Sequence, residues 1–202
     1  MANPCVFCGD DRNRLSDEHA LADWISDLFP AYPAGVAQLV GADDRVRRWA
    51  QVPFQQRLKI VCVKCNTGWM SRLEAAAKPF LTPMLLGQRQ ELRPRTQKLL
   101  AFWAVKTALV IDHFHPKERV VPDSEYRALY TLRSPLPSHL VWLGRLQSMP
   151  RERAGDIVAA ASAQAVTYLH SDSDSRESII RWASEGRKLY RITFRVGHLV
   201  VQ

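Results

Sequence analysis

The chain has 202 residues, 47% of them hydrophobic and 24% charged, with 28 Lys+Arg against 20 Asp+Glu and a formal net charge of +8. That apolar share can fill a core, which excludes bulk disorder; no run of about 18 apolar residues exists, which excludes an apolar membrane span. The start MANPCVFCGDDRNR holds no apolar signal segment, so a soluble, cytoplasmic protein is expected, and the positive balance permits a polyanionic partner without requiring one.

The first element is a tight turn, Cys5-Val6-Phe7-Cys8, closed by Gly9. Ser16 then reads as the N-cap of a helix running to about Phe29, with Asp17 and Glu18 in its first turn and Leu21, Trp24, Ile25 and Leu28 at helical spacing. Pro30 and Pro33 end it. Val36–Val40, Arg45–Val52 and Gln56–Val61 are β-branched or alternating and predict short strands around a turn at Gly41–Asp44. A second pair, Cys62 and Cys65, follows, and Asn66 opens a helix to about Ala77 that buries Trp69, Met70 and Leu73.

A second region begins near Pro94. Thr96–His113 predicts an apolar core helix and Ser124–Leu132 a shorter one. His139–Leu146, Asp156–His170, Leu189–Val196 and His198–Gln202 predict strands of an antiparallel sheet, with Gly197 in the last turn and a polar loop over Ser171–Ser178. The class is therefore α+β, divided into residues 1–93 and 94–202.

The cysteines are the sharpest chemical signal. All four fall into two C-x-x-C pairs, Cys5/Cys8 and Cys62/Cys65. Disulfides are disfavoured in a chain without a secretory signal. A redox C-x-x-C usually stands alone near a βαβ pattern. Two matched pairs predict one tetrahedral four-thiolate zinc site of structural type. The interval between them exceeds that of a minimal zinc ribbon, so something is inserted there.

Within that interval lies Glu18-His19, and Asn66 follows directly on the last cysteine. The order C-x-x-C, acid-His, C-x-x-C-Asn resembles the zinc-containing branch of the HNH endonucleases, over roughly residues 5–76; the segments LSDEHALADWI and VCVKCNTGWMSRLE carry it. The resemblance implies a ββα-metal core for the N-terminal module. It also implies a metal-dependent endonuclease that hydrolyses phosphodiester bonds, with His19 as general base and Glu18 and Asn66 as ligands of one catalytic divalent cation, expected to be Mg²⁺. The residue types suit that chemistry. An imidazole with an unperturbed pKa of about 6.5 can take a proton from water at neutral pH, and a hard cation prefers carboxylate and amide oxygens. The zinc does no chemistry here; it draws Glu18-His19 toward Asn66.

The chain departs from the family at the orienting asparagine. Its asparagines are Asn3, Asn13 and Asn66, so none lies between His19 and the second cysteine pair. Gln55, Gln56 or a backbone carbonyl are the available substitutes. A helix starting at Ser16 would point Glu18 and His19 about 100° apart. That favours an alternative: a zinc-stabilised nucleic-acid- or protein-binding module that has lost cleavage. Arg45, Arg47, Arg48, Lys59, Lys64 and Arg72 are candidate phosphate contacts, with a solvated basic face as the plainer reading. The expected partner is nucleic acid, taken as DNA. Residues 94–202 are assigned to binding, positioning or dimerisation, and a homodimer is left open. Lys106, inside the apolar run FWAVKTALV, receives no role.

Overall fold

A computed structural model of the chain describes residues 3–29, 35–40, 46–51, 55–114, 119–146, 159–166 and 189–202. The cysteine-bearing turn leads into strand β1 (Leu15–His19) and a 3-10 helix (Asp23–Leu28). Strands β2 (Gly35–Val40) and β3 (Val46–Gln51) form an antiparallel pair of their own. β4 (Arg57–Cys62) returns to pair antiparallel with β1. The chain then runs straight into helix: α1 (Val63–Cys65), a π-helical turn (Asn66–Met70) and α2 (Ser71–Leu85).

The helix expected from Ser16 is replaced by β1. The sequence LSDEH carries no alternation of its own; it becomes a strand through its ladder partner across the inserted segment, with Leu15 opposite Cys62 and His19 opposite Arg57. A one-residue slip between Ser16 and Glu18 marks a β-bulge. The helical spacing of Trp24, Ile25 and Leu28 is real, but it belongs to the short 3-10 helix, where only Ile25 is buried.

α2 also outruns its expected end near Ala77, passing through Pro79 and Pro83. Each internal proline forfeits a backbone hydrogen bond. The stripe Leu73, Ala77, Leu81 and Leu85 explains the continuation: these residues lie four apart and are all buried. Apolar burial of about 1.5–3 kcal/mol per large side chain offsets the proline cost.

α3 (Pro94–Ile111) packs on α2 and is the central helix. Its middle turn, Trp103 through Thr107, is buried on every side. A 3-10 turn (Asp112–Phe114) and α4 (Asp123–Leu132) follow. The last sheet has the order β5-β8-β7-β6, all antiparallel, built from β5 (Leu143–Arg145), β6 (Ala159–Val166), β7 (Leu189–Val196) and β8 (Leu199–Val201). β5 is shorter than the strand expected over His139–Leu146, while both ends of the strand expected over Asp156–His170, and the loop Ser171–Ser178, fall outside the described residues.

One apolar cluster runs from the first turn to the last sheet. Phe7 meets Trp69 edge-on at 5.4 Å and Tyr126 at 5.6 Å. Trp103 meets Phe194 at 5.9 Å, which ties α3 to β7. The β7–β8 turn locks the sheet to α2, because His198 N–H donates to Leu85 O at 3.0 Å. Gly197 has φ +53°, and a Cβ there would lie 2.6 Å from Leu85 O and 2.6 Å from Phe29 Cζ. Gly197→Ala therefore meets both a left-handed backbone and a hard contact. It should cost roughly 1–3 kcal/mol, read as a lower melting temperature; an unchanged melting temperature would show that the turn is not tightly docked. No helix among the described residues is long and apolar enough to cross a membrane.

Candidate functional site

The cysteines are positioned by two local devices. In the first turn, Gly9 N–H donates to Cys5 O at 2.9 Å and Cys5 N–H to Asp10 O at 3.0 Å, with Gly9 at φ +79°. Backbone bonds then tie the two pairs together: Val6 N–H in the turn donates to Ile60 O of β4, and Val63 N–H at the helix start donates to Arg14 O just ahead of β1, each 3.0 Å. Cys62 ends β4 and Cys65 lies one helical turn on, so both thiols can face the first pair.

The four sulfurs lie within 4.8 Å of one another, and Cys8 Sγ is 3.6 Å from Cys62 Sγ. A disulfide needs about 2.05 Å. Two sulfurs held at about 2.3 Å on one tetrahedral zinc lie about 3.8 Å apart. All four cysteines are unpaired. The group could hold a structural metal such as zinc. Packed this closely, the thiols cannot all ionise unaided. A hydrogen bond from Cys65 holds Cys5 down to about 4 against burial. The same bond raises Cys65, and burial pushes Cys62 up to about 11. A divalent cation removes that conflict by neutralising charge on all four at once. Arg127 of α4 lays its guanidinium over the turn, Nη1 donating to Cys5 O at 3.0 Å.

The β1–β4 ribbon carries two chemically distinct faces. Adjacent strand residues point to opposite sides. Glu18 is 4% exposed and points into the core. There its carboxylate lies 3.8 Å from Nζ of Lys106, which is 0% exposed and donates to Glu74 Oε1 at 2.7 Å. Burial pushes Glu18 up to about 7, against the pull of Lys106. Burial also works against the charge of Lys106, but Glu74 and Glu18 outweigh it and hold the ammonium above its ordinary value.

The opposite face looks to solvent. It carries Asp17 and His19 from β1 and Arg57 and Lys59 from β4. Arg57 Nε donates to His19 Nε2 at 2.9 Å. His19 Nε2 also lies 3.5 Å from Asp23 Oδ1, which accepts from Gln55 Nε2 at 2.8 Å. Beside this face opens a cavity of about 600 Å³, lined by Arg12, Arg14, Ser16, Asp17 and Lys59 among others.

No family model matches this chain, and no curated protein or solved structure matches it either.

Glu18, His19 and Asn66 each have different partners. Asn66 Nδ2 donates to Ser16 Oγ at 3.0 Å, and Ser16 Oγ donates to Val61 O at 3.0 Å. Glu18 is engaged by Lys106. These two residues do not gather as oxygen donors around one hard cation. Gln55 does reach the His19 cluster, through Asp23 and Arg57 rather than directly. Among the basic candidates, Lys64 and Arg72 are exposed on α1 and α2. Arg47 and Arg48 lie on β3, opposite Leu39 and Gln38 of β2. Arg45 falls outside the described residues.

Sequence reasoning missed Asp23, Glu74 and the role of Arg57. Asp23 stands four residues after His19, a spacing that was visible. Lys106 was visible as a charge inside an apolar helix, and its partners were not.

Proposed function

We propose that the protein is a phosphodiesterase acting on nucleic acid, taken as DNA, in which His19 activates water and a zinc ion on Cys5, Cys8, Cys62 and Cys65 is purely structural. In this reading β1, β4 and the helix beginning at Val63 serve as a ββα-metal core. The observation that carries it is the solvent-facing trio of His19, Arg57 and Asp23. The base His19 has a cation that can grip phosphate at 2.9 Å and a carboxylate that can stabilise imidazolium at 3.5 Å. Lys59 extends the cationic edge, at 73% side-chain exposure. Lys64, Arg72, Arg47, Arg48 and Arg45 are proposed as further phosphate contacts, giving binding a strong salt dependence.

His19 would take a proton from water as the hydroxide oxygen bonds to phosphorus. The bridging P–O bond breaks, and the leaving oxygen takes its proton from solvent. A catalytic Mg²⁺, which the family resemblance implies, would neutralise phosphate charge. Glu18, turned inward to Lys106, and Asn66, bonded to Ser16, do not fit it as arranged. Supercoiled plasmid with a divalent metal should be nicked by the native protein. His19→Ala should nick at least about a hundredfold more slowly. Native protein that leaves the plasmid intact with several divalent metals would end the enzymatic reading.

A second reading rests on Glu18. Its carboxylate faces inward to Lys106, as a non-cleaving binding module would allow. That module predicts duplex binding unchanged by His19→Ala.

A further inference from the structure

We propose that Arg57 is a phosphate-released cap on His19: its guanidinium occupies the imidazole's accepting nitrogen at rest and leaves when a phosphodiester oxygen claims it. The inference rests on the catalytic reading of His19 and extends it to how the base is switched on. The register sets His19 directly opposite Arg57 across the ribbon. Arg57 Nε then donates to His19 Nε2 at 2.9 Å. Arginine has no acceptor and is always protonated. The imidazole must therefore present a lone pair at Nε2 and carry its hydrogen on Nδ1. A nitrogen whose lone pair is already filled by an N–H cannot take a proton from water. His19 is idle as a base for as long as Arg57 stays where it is.

Arg57 is exposed, and its Nη2 reaches Gln55 Oε1 only at 3.4 Å, a long bond. A phosphate offers the guanidinium paired, charge-assisted acceptors about twice as strong as a neutral nitrogen. Once Arg57 swings to phosphate, Nε2 is open with Asp23 Oδ1 still 3.5 Å away. The carboxylate can then steady the imidazolium that forms. Nucleic acid itself thus exposes the base, at the place where the phosphate has just been seated.

The test uses full-length, metal-loaded protein labelled with ¹⁵N. Long-range ¹H–¹⁵N spectra should show His19 as the Nδ1–H form. Added inorganic phosphate should move the His19 Nε2 and Arg57 Nε resonances along one saturation curve. In Arg57→Ala the Nε2 resonance should no longer respond to phosphate. In plasmid nicking, Arg57→Ala should raise KM by roughly tenfold with a smaller change in kcat, and Arg57→Lys should recover only part of it. The proposal is overturned if His19 ignores phosphate in the native protein, or if its response survives in Arg57→Ala. A native protein that shows the coupled resonances yet never nicks DNA would sink the nuclease reading alone.

Discussion

Cys62→Ser is expected to release the metal and unfold the N-terminal half. Cys62 is fully buried, ends β4 and lies opposite Leu15 of β1, so it joins the four-cysteine group to the ribbon that carries His19. Structural zinc sites contribute about 10–16 kcal/mol of apparent binding free energy near neutral pH. Whole domains are stable by only about 5–15 kcal/mol. The metal term is therefore large enough to decide whether this part folds. Elemental analysis of the native protein should give about one zinc per chain. Chelation should reproduce the Cys62→Ser phenotype, with loss of amide protection concentrated in β1, β4 and the first turn. Zinc-free Cys62→Ser that stays cooperatively folded would remove the metal from the account of this fold.

The second large effect is expected at Lys106. Its ammonium sits wholly buried between Glu74 at 2.7 Å and Glu18 at 3.8 Å. Lys106→Met keeps much of the volume and leaves two carboxylates facing each other without a counter-charge. Removing one partner of a buried ion pair typically costs about 3–5 kcal/mol. Converting Glu18 and Glu74 to glutamine in the same chain should restore most of that loss, because a neutral cluster has little desolvation penalty. Urea titration of the single and triple variants checks both. A Lys106→Met protein within about 1 kcal/mol of wild type would show that the cluster is not charge-balanced as drawn.

The same cluster sets a pH dependence. Burial raises Glu18 from 4.5 to about 7, so between those values the folded chain keeps a proton that the unfolded chain has lost. Its stabilising contribution is complete below 4.5 and is lost as pH rises through about 7. His113 acts in the opposite sense. Burial lowers it from 6.5 to about 4, so its contribution is present above 6.5 and lost as pH falls toward 4. Subtracting the Glu18→Gln profile from the wild-type profile isolates the Glu18 slope.

The legible parts of this molecule are those encoded over a few residues. C-x-x-C spacing names a thiolate pair wherever it folds, and the sulfurs did converge. The core helix Pro94–Ile111 and the hairpin around Gly197 announced themselves through an apolar run and a turn glycine. β1 did not, because LSDEH becomes a strand only through pairing with Arg57–Cys62, across the whole inserted segment. Local reading favoured Ser16 as a helix cap, and the distant ladder overrode it. α2 was cut short for a similar reason. Proline is a local stop signal, whereas the Leu73–Leu85 stripe acts only once α3 is present. The candidate site was legible as residue types, His19 above all. Its arrangement depends on Arg57 and Lys106, which reach it only after the chain has folded back on itself, and on Asp23, a local neighbour four residues from His19.

That fold-back has a consequence during biosynthesis. Cys5 and Cys8 emerge from the ribosome before the second pair, and the four-thiol group cannot close until Cys65 and the helix behind it have followed. For that interval the leading pair travels as exposed, half-finished chelation, open to oxidation into a local disulfide or to capture by the wrong soft metal. Yield of correctly loaded protein should therefore track zinc supply and reducing power at the moment of translation, more than any treatment applied to the finished chain.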